Sequence, residues 1–206
     1  MKKIILIISA AIAGLFCSDA VSAQNSGFPV IRQKGKTAIV AHRGFWNSEQ
    51  GGFSENSIAS LKAAQDAGLW GSECDIHLTA DGRVIVNHNP DVDGMKIAEH
   101  TFAELSACRL PNGETRPSFE EYVAQAKKCK KTMLIVEIKI QPDKETEDKL
   151  VDNTVKILKD FGMFSPKRVL FISFSDNVCD KIAAEYPELP SPFLRKSNRV
   201  ENNQLV

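Results

Sequence analysis

Trp70-Gly71-Ser72-Glu73-Cys74-Asp75-Ile76-His77-Leu78 is the stretch on which the fold turns. Successive side chains of a β-strand point to opposite faces, so Glu73, Asp75 and His77 share one face while Cys74 and Ile76 take the other. Two carboxylates on one face can grip a cation. Upstream, the apolar run Ala38-Ile39-Val40-Ala41 leads into His42-Arg43-Gly44. Downstream, Val84-Ile85-Val86 leads into Asn87-His88-Asn89-Pro90. Both histidines therefore sit just past a buried strand, and in α/β sheets and barrels the carboxyl ends of strands are where ligands bind.

Strand-like and helix-like runs alternate along the rest of the chain. Thr37–Ala41 reads as a strand, Asn56–Ala67 as a helix closed by Gly68, Trp70–Leu78 and Val84–Asn87 as strands with the turn Asp81-Gly82 between them. A loop-rich segment follows from Asn89 to Pro117, with a short helix at Phe102–Ala107. Ser118 and Glu121 have capping-box spacing at the head of a helix over Phe119–Lys128. Thr132–Ile140 is a strong strand whose positions Met133, Ile135, Glu137 and Lys139 share one face. Asp143–Phe161 has apolar residues at helical spacing and ends at Gly162. Arg168–Ser173 reads as a strand, Asp176–Glu185 as a helix, and Leu189–Leu194 as a further strand interrupted by prolines. The alternation favours an α/β fold with a parallel sheet and helices outside. The count comes to about six strands, where a (β/α) barrel closes with eight.

The 206 residues are 43% hydrophobic and 25% charged, enough for one sizeable core. A formal net charge of zero gives no electrostatic footprint for nucleic acid or anionic lipid, so an anionic substrate must be held by local charges. Lys2-Lys3, the apolar stretch Ile4 to Phe16 and the small-residue site Val21-Ser22-Ala23 read as an export signal over residues 1–23. Its apolar run is about a dozen residues where a membrane span needs roughly twenty, so no stable span is expected. Cys17 raises lipid anchoring as an alternative, and the bulky Phe16 before it argues against that. The expectation is a periplasmic or secreted protein. Residues 24–36 read as a linker and residues 37–206 as the domain. Cys74, Cys108, Cys129 and Cys179 then remain, compatible with two disulfides in three connectivities or with buried thiols.

Glu73, Asp75 and, from a distant strand, Glu137 offer three hard oxygen donors, which suit calcium or magnesium; zinc would want nitrogen or sulfur. An unpaired carboxylate in a strand as apolar as Leu134-Ile135-Val136-Glu137-Ile138 is costly, which favours a ligating role for Glu137. His42 and His88 form a pair that can take a proton from a nucleophile and give one to a leaving oxygen. Arg43 and Lys139 can neutralise charge on phosphoryl oxygens. His100, a lone histidine, reads as structural.

Taken together, Ala41-His42-Arg43-Gly44, Glu55-Asn56-Ser57, Ala67-Gly68, Glu73 through Gly82, Val86-Asn87-His88 and Val136-Glu137-Ile138-Lys139 resemble the glycerophosphodiester phosphodiesterase family, within the superfamily of phosphoinositide-phospholipase-C-like phosphodiesterases. The matches cover most of residues 37–140. The resemblance implies a TIM (β/α)8 barrel and hydrolysis of a small-molecule glycerophosphodiester to glycerol 3-phosphate and an alcohol. It implies a divalent cation, calcium or magnesium, on Glu73, Asp75 and Glu137, with His42 and His88 exchanging protons and Arg43 and Lys139 at the phosphate. Glu55 and Asn56 match an element that lies beside the site, and His77 a variable position that can support it from behind.

Three features depart from the family pattern. Asn89 stands where aspartate usually follows the second histidine. The segment Asn89–Pro117 is shorter than the usual insertion. The chain stops after about six strands, so the barrel is expected to be truncated, its last part missing. Two alternatives stay open: a phosphoinositide or lysolipid phosphodiesterase of the same superfamily, and a truncated, inactive barrel that only binds metal or ligand.

Overall fold

Four parallel strands in the order β2 (Ala38–Ala41), β3 (Gly71–Leu78), β7 (Met133–Ile138) and β8 (Val169–Ile172) form the spine of the molecule in a computed structural model that describes residues 4–7 and 38–189. β2 and β8 are runs of apolar residues, while β3 and β7 set Glu73, Asp75, His77 and Glu137 among small and apolar ones, and nearly all of these positions are buried, as a parallel sheet covered on both faces requires. A short strand β1 (Ile4–Ile7) pairs parallel with β2 in the register Ile4↔Ala38. The sheet runs β1-β2-β3-β7-β8 without returning on itself, so the barrel is not closed among the described residues.

The strand at Val84–Val86, β4, departs from the alternation expected from sequence. It pairs antiparallel with the end of β3, Ile76 opposite Val86 and Leu78 opposite Val84. The reason is length: parallel neighbours need a crossover of about a dozen residues or more, and the short turn around Asp81-Gly82 can only fold back. A second small hairpin, β5 (Asp91–Val92) with β6 (Met95–Lys96), lies in the segment read as loop. Its turn residues Asp93 and Gly94 both have positive φ, which matches the twist of a tight hairpin. The further strand expected at Leu189–Leu194 lies outside the described residues from position 190 onward, as does the linker at 24–36.

The helices are α1 (Ile58–Asp66), α2 (Phe102–Ala107), α3 (Phe119–Lys127), α4 (Lys144–Asp160) and α5 (Asp176–Glu185). Their starts are fixed chemically. Ser57, Thr101 and Ser118 complete capping boxes, and Asp143 and Ser175 accept from the first turns of α4 and α5. Phe119, Tyr122 and Val123 of α3 and Leu150, Val151, Val155 and Leu158 of α4 bury one stripe each against Cys74, Ile76, Val136, Ile138 and Phe171 of the sheet. Removing a side chain such as Phe119 from that layer costs on the order of 3–5 kcal/mol. The other face of the sheet carries a smaller cluster of Val40, Ile135, Leu170 and Ile172. It is on this inner face, toward the strand ends, that the polar residues gather. All four described cysteines are free thiols, with Cys74 and Cys179 buried, so the disulfide alternative is not realised among the described residues.

Candidate active site

The end of β2 is a hard corner. Arg43 and Gly44 have φ of 55° and 80°, and the corner is fastened on both sides. The Gly44 and Arg43 amides donate to the Glu73 carbonyl at 3.0 Å and to Glu73 Oε2 at 2.7 Å, while the Arg43 carbonyl accepts from the Asn56 amide at 2.9 Å. A Cβ on Gly44 would fall 2.2 Å from Ser60 Oγ and 2.8 Å from the Ser60 carbonyl carbon, so only glycine fits between the corner and α1.

The register of β3 against β7 sets Asp75 directly opposite Glu137, and Glu73 lies two residues back on the same face. Glu73, Asp75 and Glu137 are all buried, with one carboxylate oxygen of each within 4.8 Å of the others. Asp75 Oδ2 accepts from the Asn56 side-chain amide at 2.9 Å, and Asn56 Oδ1 accepts from the Asp75 amide. Lys139 Nζ lies 2.7 Å from Glu137 Oε1 and 3.3 Å from Asp75 Oδ1. Among the described residues Glu73 Oε1 and Asp75 Oδ1 have no hydrogen-bond donor, and Asp75 Oδ1 has the Lys139 ammonium as an ion-pair neighbour. Buried carboxylate oxygens without donors are costly, and hard oxygen donors converging in this way fit a divalent cation. Burial, reinforced by the Asp75 charge, pushes the Glu73 carboxyl well above the usual carboxylate range. Burial alone would lower Lys139, but its carboxylate partners outweigh that and hold its ammonium above the ordinary value.

Both histidines reach the same cleft. His42 Nε2 stands 3.9 Å from Glu73 Oε2. Burial, and next the Arg43 charge, holds the His42 imidazole below its ordinary value. His88 is half-buried, and its Nδ1 meets Asn89 Oδ1 at 2.9 Å, so the amide at the unusual position is in direct contact with the ring. The cleft has a volume of about 170 Å³ and is lined by His42, Glu73, His88, Glu137, Lys139, Ile172 and Phe174. Arg43, Glu55, Asn56 and Asp75 do not line it. The Arg43 guanidinium instead pairs with Glu55 Oε2 at 2.8 Å and approaches Asp75 Oδ2 at 3.9 Å.

His77 is 4% exposed and stands behind the cleft, its Nε2 3.3 Å from the His88 carbonyl oxygen. Burial holds its imidazole down to about 4. His100 lies away from the cleft, its Nδ1 3.0 Å from the Lys96 carbonyl oxygen and its own carbonyl accepting from the Ala80 amide, in keeping with a structural role. Three residues without a signal in the sequence complete the surroundings. Ile172 and Phe174 form an apolar wall, and Gln141 supports His77. A larger cleft of about 420 Å³ between α1 and α3 contains Glu114 and Glu121. Both carboxylates are already engaged with backbone amides at the heads of those helices, so that cleft offers no comparable chemistry.

The sequence profile described as "Glycerophosphoryl diester phosphodiesterase family" matches residues 42–205. The crystal structure of a glycerophosphodiester phosphodiesterase from Parabacteroides distasonis is 36% identical with a TM-score of 0.72, covering 76% of this chain and 64% of that one. An Oleispira antarctica phosphodiesterase in complex with the product sn-glycerol-3-phosphate shares the fold at 24% identity and a TM-score of 0.63, over 76% of this chain and 65% of the other. A glycerophosphodiester phosphodiesterase of Bacillus altitudinis is 34% identical over 90 residues, 41% of this chain and 33% of the relative. The chain thus spans about a third of that curated relative and just under two thirds of these solved structures.

Proposed function

We propose that this chain, which belongs to the glycerophosphoryl diester phosphodiesterase family, hydrolyses glycerophosphodiesters to glycerol 3-phosphate and an alcohol in the cleft at the ends of β2, β3 and β7. One observation carries the reading. Two histidines from separate strand ends line a single cleft with Glu73 and Glu137, and the Glu73–Asp75–Glu137 cluster presents buried oxygens without donors. Glu73, Asp75 and Glu137 would hold a divalent cation, calcium or magnesium. When bound, the cation supplies positive charge to the phosphoryl oxygens.

The chain's own groups account for the proton movements. His42, whose imidazole is held neutral near pH 7, takes the proton from the glycerol hydroxyl adjacent to the phosphodiester as its oxygen bonds to phosphorus. His88 gives a proton to the departing alcohol oxygen as the phosphorus–oxygen bond breaks. Water then opens the cyclic phosphate with the two roles reversed. Lys139, already in the cleft, offsets charge on the phosphate. Arg43 would reach the phosphate only by leaving Glu55, so in the present geometry it braces the carboxylates. Glu55 and Asn56 support from behind. The Oleispira relative, which carries glycerol 3-phosphate, supports that product class.

His42→Ala and His88→Ala are each expected to lower release of glycerol 3-phosphate from glycerophosphocholine by roughly 10²–10⁴-fold. Full activity of His42→Ala contradicts the reading. A lysolipid substrate turned over to a lipid product or a stable cyclic phosphate would instead identify the related phosphodiesterase reaction.

The leader composition supports export with cleavage after Ala23, and among the described residues no helix is long and apolar enough to cross a membrane. Cleavage there would remove β1 and leave β2 at the sheet edge. Terminal sequencing of exported protein is expected to begin at Gln24; retention of Ile4 would contradict cleavage.

A further inference from the structure

Gln141 lies just past β7 and is 7% exposed, with its side-chain amide fully engaged. Its Oε1 accepts from the Leu78 backbone amide at 3.3 Å, while its Nε2 donates to the carbonyls of Lys139 at 2.8 Å and Ile140 at 3.1 Å. These partners fix which end is which. A backbone N–H can only donate and a carbonyl can only accept, so a reversed amide would set oxygen against two carbonyl oxygens.

The same Nε2 lies 3.3 Å from His77 Nδ1. An amide NH2 has two hydrogens and offers no acceptor; with one hydrogen shared between the adjacent Lys139 and Ile140 carbonyls the other faces His77, so Nδ1 of the neutral ring carries no hydrogen and Nε2 does. That Nε2 is 3.3 Å from the His88 carbonyl oxygen, again an obligatory acceptor. Among the described residues no other hydrogen bond reaches this carbonyl. The far end of the chain of contacts is equally anchored. Glu147, buried on α4, accepts from the Gln141 backbone amide through Oε1, and from Ser175 Oγ and Asn177 Nδ2 through Oε2.

We propose that Gln141 is a positioning residue for His88, acting through His77: it selects the Nε2–H tautomer of His77, whose hydrogen bond to the His88 carbonyl holds the second histidine over the cleft. The contacts join β3, the loop after β4, and the βα connections after β7 and β8, which are separate in sequence and meet only at the strand ends. The catalytic importance of the contact rests on reading His88 as a proton-transfer group; the tautomer and the anchoring of the loop do not.

The test uses the full chain and three variants. His77→Phe removes the donor, His77→Gln retains one, and Gln141→Met keeps the length of the side chain without its amide. Long-range proton–nitrogen correlation spectra should show His77 of the unaltered protein with hydrogen on Nε2, and a mixture of tautomers in Gln141→Met. Hydrogen exchange at the Asn87 and Ile97 amides, which donate to the Asp75 and Pro90 carbonyls on either side of the His88 loop, should rise about tenfold in His77→Phe and stay unchanged in His77→Gln. The kcat for glycerol 3-phosphate release should fall about tenfold in His77→Phe and Gln141→Met with KM within roughly twofold, and recover in His77→Gln. Hydrogen on Nδ1 in the unaltered protein, or unchanged exchange at Asn87 and Ile97 in His77→Phe, would overturn the proposal. Absence of hydrolysis by the unaltered chain would count against the phosphodiesterase reading instead, and the spectra and exchange would still decide the positioning role.

Discussion

Asn56 and Asp75 are joined twice: the Asn56 amide donates to Asp75 Oδ2 at 2.9 Å, and its Oδ1 accepts from the Asp75 backbone amide at 3.2 Å. Asn56 reaches this position with φ of 54°, a conformation that asparagine tolerates better than most residues. It thereby holds in place a carboxylate that never meets solvent. Asn56→Ala is expected to lose both contacts and strain the backbone, lowering stability by roughly 3 kcal/mol in denaturant unfolding. Asn56→Gly, free of the strain, should be less damaging by about 1 kcal/mol. Equal losses in the two variants would place the whole effect in the side-chain contacts.

Gly44→Ala tests the corner after β2. An alanine Cβ would meet both the hydroxyl and the backbone of Ser60 at a left-handed position. The expected cost is on the order of 3 kcal/mol. Adding Ser60→Ala should recover only part of it, because the overlap with the Ser60 carbonyl carbon remains. Unfolding curves of the two variants settle the point, and complete rescue would show that the backbone approach is not limiting.

Lys139 is held at present by two of the three carboxylates, Glu137 and Asp75. Lys139→Met leaves Glu137 without its ion-pair partner and Asp75 with only the Arg43 guanidinium at 3.9 Å, and should lower stability without added cation by on the order of 3 kcal/mol, a fall of roughly 10 °C in melting temperature. Added calcium should raise the melting temperature of the variant by more than that of the unaltered protein. Equal calcium shifts in the two proteins would argue against competition for the same carboxylates.

His77 gives the fold an acid-sensitive element. Its folded value is held at about 4 by burial, against an ordinary 6.5, so the unfolded chain binds more protons between those values. The neutral ring's contribution is complete above pH 6.5 and is lost as pH falls from 6.5 toward 4, ~3 kcal/mol in all. Unfolding free energies measured across that window should fall less steeply in His77→Gln, which has nothing to titrate there. Identical slopes would assign the acid sensitivity to other groups.

Much of this site was legible because strand geometry has a simple period. Alternation along β3 placed Glu73, Asp75 and His77 on one face, and the same reading of Thr132–Ile140 placed Glu137 with Ile135 on the inner side. The head of α3 was equally readable, since Ser118 and Glu121 act within three residues of each other, whereas the helix read from Asn56 starts two residues later, after the Ser57 cap. The antiparallel course of β4 could have been inferred from the short turn at Asp81-Gly82, and the hairpin at Asp93-Gly94 from its turn residues. Gln141 could not. Its side-chain contact with His77 spans 64 positions and exists only because β3 and β7 lie side by side. Phe174 likewise entered the cleft wall through the packing of β8, with nothing in its neighbours to mark it. The Arg43–Glu55 pair was also illegible, and it redirects a guanidinium that the sequence alone would send to phosphate.

The most direct test is release of glycerol 3-phosphate from glycerophosphocholine and glycerophosphoethanolamine by the full chain in the presence of calcium, magnesium or a chelator. Release that requires a divalent cation and disappears with chelator is the expected result. A folded protein that releases none with either cation, or one whose release is indifferent to chelator, would contradict a cation-dependent phosphodiesterase built on Glu73, Asp75 and Glu137.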